Sequence, residues 1–149
     1  MATTPPQHHG KGRRQALDRE WVRYLTEGGD PGTGQAIRNL PRFQRGITEF
    51  NQRQFFQSHE SFEAAWLEAP YPDRLLGLGL AKLAAAHVTA QRHGQQRIDL
   101  STKLAVDTTL LLASLPATYA GLDIAALRAA FGESPIALPN TALQINVKS

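Results

Sequence analysis

The chain of 149 residues has no cysteine, so disulfides, thiolate metal sites and cysteine nucleophiles are excluded, and a reducing compartment suits it. It also lacks an apolar run long enough for a membrane. The most apolar stretch, LLGLGLAKLAAAHVTA at 75–90, is interrupted by Lys82 and His87 and falls short of the roughly 20 residues that span a bilayer, so it reads as a buried helix. The opening MATTPPQHHGKGRR has none of the apolar core of a secretory signal. These absences point to a soluble, cytoplasmic protein with no membrane partner.

The folded part also lacks an excess of charge. The formal charge is +3, but Lys11, Arg13 and Arg14 lie in the first fourteen residues, which hold no acid. With those three set aside, the basic residues left equal the 13 acids in number. A nucleic-acid-binding domain shows a basic stripe on a folded face. Here the surplus sits in residues 1–14, read as a flexible basic tail that aids solubility, so nucleic acid is not expected as a partner.

What is present is helical periodicity. Leu17, Trp21, Tyr24 and Leu25 recur at helical spacing in 15–29, which runs into GGDPGTG, a loop without the phosphate-cradle pattern. Phe43, Ile47 and Phe50 repeat at three-to-four spacing before FFQSHESFEAAWLEA at 55–69, which Pro70 and Pro72 stop. Asp73 is placed to cap or begin a helix from about Arg74 to His93, halted near Gly94. Another helix covers about Asp99 to Leu115, and Asp123 can cap a last one, IAALRAAF. No stretch alternates as a half-buried strand does. The expected fold is all-α, a compact bundle of about five helices around a central antiparallel pair. The bundle domain is expected over 15–132, and 133–149 as an extended C-terminal tail.

The 55–69 segment carries the candidate chemistry. At about 100° per residue, with His59 at zero, Trp66 falls near −20°, Phe55 near −40°, Phe62 near −60° and Glu63 near +40°. His59 and Glu63 thus share the aromatic side of the wheel and are expected to be buried together. Glu60, near +100°, stands at the rim. In the following helix His87 lies in a stripe with Leu76, Leu80 and Leu83. The short APYP link makes the two helices antiparallel neighbours, with His59 and His87 about one turn apart in level. Asp107 is a weaker candidate for the same cluster, and Lys82 faces away from it.

HESFEAAW, His59 to Trp66, resembles the HExxExxW signature of the domain of unknown function 309 family, small all-helical proteins. The resemblance extends upstream through Phe50-Asn51 and the Phe55-Phe56 pair. Downstream it extends through Gly79-Leu80, His87 and Gly94, covering about residues 43–115. The chain departs from the family pattern at Arg53, Gln57, Lys82 and Gln95, where a glycine, an acid, a glutamine and an asparagine are expected. The resemblance implies a compact helical bundle and names no reaction.

The leading reading of His59, Glu60, Glu63, Trp66 and His87 is a structural polar network in a module that binds a small ligand or a protein partner. The alternative is a hydrolase-like enzyme in which His59, Glu63 and His87 hold zinc or another divalent metal and Glu60 is the general base, as in HExxH sites. Gly77, Gly79, Ala81 and Ala84 to Ala86 make the 74–93 helix thin. Close packing inside one bundle is favoured over a homodimer contact.

Overall fold

The computed structural model describes residues 4–6, 14–133 and 144–147. Most of the basic tail and residues 134–143 of the C-terminal tail lie outside them. Seven helices form among the described residues: α1 (Arg14–Thr26), α2 (Gln35–Arg38), α3 (Pro41–Asn51), α4 (Phe55–Glu68), α5 (Arg74–His93), α6 (Ile98–Ala113) and α7 (Ile124–Glu133). The all-α expectation is met. The short α2 and a small antiparallel hairpin, β1 (Thr118–Tyr119) and β2 (Leu122–Asp123), were not foreseen.

The axis of the bundle is α5, with α4 on one side and α6 on the other. Eleven of its twenty residues are buried, from Leu75 to Ala90, over about two thirds of the wheel, and the remaining strip carries the partly exposed Leu78, Lys82 and Ala85. Such a helix must be thin where neighbours come close. A Cβ on Gly77 would meet the Trp66 backbone at 3.0 Å, whereas one on Gly79 would meet Leu111 at an ordinary 3.5 Å. The α3–α4 contact uses the same device, since a Cβ on Gly46 would press on the Phe62 ring at 2.8 Å. The close approach expected of these small residues is therefore found inside the bundle.

Buried hydroxyls fasten the same helices. Ser58 donates to the Gly46 carbonyl at 2.8 Å, Ser101 to Ala86 at 2.9 Å and Thr108 to Gly79 at 3.1 Å. Each crosses from one helix to the next and satisfies a polar group that would otherwise be costly to enclose. The α5–α6 and α3–α4 contacts are thus pinned in register as well as packed.

Asp73 stands at the start of α5, but its side chain makes no cap bond there. Its buried carboxylate instead accepts the Ile37 N–H at 3.0 Å and lies 3.2 Å from the Tyr119 hydroxyl, which also sits 2.8 Å from the Pro31 carbonyl. One side chain thereby ties α2, the glycine-rich loop and the hairpin to the start of α5. The hairpin turn has positive φ at Ala120 (52°) and Gly121 (74°), the two-residue geometry that matches strand twist. Ala120 N–H reaches the Thr33 carbonyl at 2.8 Å. Next to it Gly34 has φ 78°, and a Cβ there would strike Ala120 N at 2.7 Å, so glycine is required on both counts.

Asp123 does cap its helix, accepting the Ala126 N–H at 3.0 Å. Residues 144–147 pack on the body: Asn51 exchanges two hydrogen bonds with the Ile145 backbone, at 2.8 and 3.0 Å, and Val147 bridges to Leu122. Arg53, near which a glycine was expected, takes φ 66°, a left-handed conformation that glycine adopts most easily.

Candidate functional site

The position of α4 in the bundle decides what its signature residues can do. Its enclosed side chains are Phe55, Ser58, Ser61, Phe62 and Ala65, an arc centred about 100° from His59 on the wheel. The buried face is therefore turned away from the expected one. His59 sits at its edge with 29% of its side chain exposed, and Glu63 is further out at 46%. The physical reason is that α4 lies between α3 and α5, and the close approaches call for small side chains. Ser58 and Ser61 face those neighbours, Ser61 donating to Glu49 Oε1 at 2.7 Å. Phe56, expected in the stripe, is 46% exposed, with the Arg92 guanidinium 5.0 Å over its ring.

His59 is nonetheless tightly held. Its Nδ1 lies 3.1 Å from the Ala81 carbonyl of α5 and its Nε2 lies 3.1 Å from Glu63 Oε2. Both ring nitrogens thus face acceptors, and an imidazolium with a proton on each satisfies both contacts. Glu60 is exposed on the outer side of α4.

His87 is placed in other surroundings. It is 1% exposed, its Nδ1 lies 3.0 Å from the Leu83 carbonyl, and its ring stacks on Phe55 at 4.4 Å and meets Phe50 edge-on at 5.2 Å. The level expected for it is right, since Phe55 is one turn of α4 before His59. The direction differs: His59 meets α5 at Ala81, while His87 is wrapped in aromatic rings. Among the described residues no group of three or more His, Asp or Glu is placed to hold a metal ion.

The last signature residue, Trp66, leads to a cavity. It lines a groove of about 550 Å³ together with α1, α5 and α6. Its apolar lining residues are Val22, Trp66, Leu78, Leu110 and Leu111, and its charged ones Asp18, Arg19, Lys82, Lys103 and Asp107. Asp107 belongs to this groove, where its Oδ2 takes Lys82 at 3.1 Å and Lys103 at 3.2 Å. Burial opposes ionisation of Asp107, but the two ammonium groups outweigh it and hold the carboxyl below its ordinary range. Asp18 is buried and accepts the Tyr71 hydroxyl. The Tyr71 ring stacks on Trp21 at 5.5 Å and lies under the Arg74 guanidinium. Burial first, then the neighbouring Asp18, push the Tyr71 phenol above its ordinary range.

Lys82, Lys103 and Asp18 were missed as site residues. Lys103 and Asp107 stand at i and i+4, a readable pair. Lys82 was a legible anomaly in an apolar run, whose partner could be found only once α5 and α6 were docked.

No curated protein and no solved structure matches the chain. Residues 43–98, from α3 to the first residue of α6, match the family described as Domain of unknown function (DUF309), the family that HESFEAAW resembles.

Proposed function

We propose that this protein is a binding module in which the HExxExxW segment works as a fastening and a wall. His59 and Glu63 hold α4 against α5, and Trp66 forms one side of the groove that receives a ligand. The observation that carries this reading is the groove beside Trp66, at about 550 Å³, within the size range of small-molecule sites. Its lining combines apolar side chains, which can pack a ligand's body, with charged ones that can orient it. The geometry of His59 supports it as well, since both ring nitrogens are engaged with protein acceptors.

The test is a titration of 15N-labelled protein with the neutral probe 1-naphthylacetamide. Saturable shifts confined to the amides of Leu78, Lys82, Leu110 and Leu111 are expected, and Leu110→Glu should abolish them. Leu110 is 62% exposed, so that change leaves the fold intact. Shifts scattered over the surface, or none that saturate, refute the groove as a ligand site. Zinc uptake at one equivalent that His59→Ala removes would favour the metal-dependent alternative instead.

A further inference from the structure

The charged lining of the groove is uneven, three bases to two acids. Lys82 and Lys103 both converge on one oxygen, Asp107 Oδ2, and Arg19 lines the same groove. Each ammonium has three N–H donors, so one carboxylate oxygen leaves most of their donor capacity and one of their two charges unmatched. Lys103 is largely solvent-exposed, whereas Lys82 and Asp107 are each about a quarter exposed, which makes the cluster reachable from the groove. Leu78, Leu110 and Leu111 provide the apolar surface beside it.

We propose that the groove takes an organic acid with an aromatic or aliphatic body, its acid group seated beside Lys82 and Lys103, and that Asp107 acts as a built-in competitor for those ammonium groups. The assignment rests on the groove being the ligand surface. Asp107 shows that a carboxylate is accommodated at this position, and its own negative charge opposes a second one. Removing that charge while keeping the shape therefore strengthens binding of an acid and leaves a neutral analogue unaffected, a result that a merely structural role for Asp107 does not produce.

The experiment compares 1-naphthylacetate with 1-naphthylacetamide by 15N shift titration on the full chain, for the wild type, Asp107→Asn and Lys103→Gln, with far-ultraviolet circular dichroism to confirm folding. The wild type should prefer the acid by about threefold, the scale of one partly exposed ion pair. Asp107→Asn should widen the preference to about tenfold by tightening the acid alone, and Lys103→Gln should erase it. Molar salt should shrink the preference in every folded protein that shows it. Equal affinities for acid and amide in both wild type and Asp107→Asn, or weaker acid binding by Asp107→Asn, overturn the proposal while leaving the groove reading standing. Failure of both probes to shift the groove amides overturns both.

Discussion

Replacing His59 by alanine tests how much of the fold its signature segment holds. A histidine at the centre of a buried face, paired there with a glutamate, would cost about 3 to 5 kcal/mol to lose, because the partner's charge would be left enclosed. The position observed predicts much less. One hydrogen bond to the Ala81 carbonyl contributes about 1 kcal/mol. The ion pair to a glutamate whose side chain is 46% exposed adds at most about 1 kcal/mol. Alanine returns about half a kcal/mol through its better helix propensity. His59→Ala should therefore destabilise by about 0.5 to 1.5 kcal/mol, and Glu63→Gln by less than about 1 kcal/mol. Phe62→Ala, which empties a fully buried site in the same helix, should cost about 3 to 5 kcal/mol. Urea unfolding with linear extrapolation resolves these values. A loss above 3 kcal/mol for His59→Ala, equal to that of Phe62→Ala, would refute the placement of His59 at the edge of the buried arc.

Two glycines one turn-fraction apart on α5 should answer oppositely to alanine. Gly77→Ala, pressed on the Trp66 backbone at 3.0 Å, should lose about 1 to 3 kcal/mol, while Gly79→Ala, in ordinary contact, should be neutral or gain up to about 1 kcal/mol; thermal melts separate them. Asp107 has a lowered folded-state pKa, so its contribution is present above its unfolded value of about 3.9 and is lost as pH falls through the lower folded value. Stability measured across the acid limb should accordingly show a shallower fall for Asp107→Asn. The raised phenols of Tyr71 and Tyr119 work the other way. Their contribution is complete below the unfolded value near pH 10 and declines as pH rises above it, so denaturant unfolding at alkaline pH should show a smaller loss in Tyr119→Phe than in the wild type.

Much of the bundle was legible because helix ends and apolar faces are local properties. Pro70 and Pro72 stop α4, Gly94 ends α5, and the limits Arg74 and His93 could be read from the chain. What failed to show was decided by neighbours. Strands of two residues are too short for alternation to register, and the Tyr-Ala-Gly-Leu turn hides its positive φ behind an alanine. The wheel of α4 was centred on its aromatic residues, whereas the bundle encloses Ser58, Ser61 and Ala65 because α3 and α5 come close there. Asp73 has the local look of a helix cap, yet its partners are Ile37 and Tyr119, far away in the chain. Lys82 and Asp107 are separated by 25 positions, so only docked helices reveal that the lysine in the apolar run faces an acid.

The enclosure of α5 also makes it a reporter. Amides at its fully enclosed central positions are exposed only when the whole molecule opens, so their hydrogen exchange tracks global stability, while frayed ends and loops exchange through smaller openings. A compound that binds the native fold raises global stability by mass action. Slowed exchange at Leu80, Leu83 and Ala84 would therefore measure the affinity of any occupant of the groove, including one that touches none of those three residues.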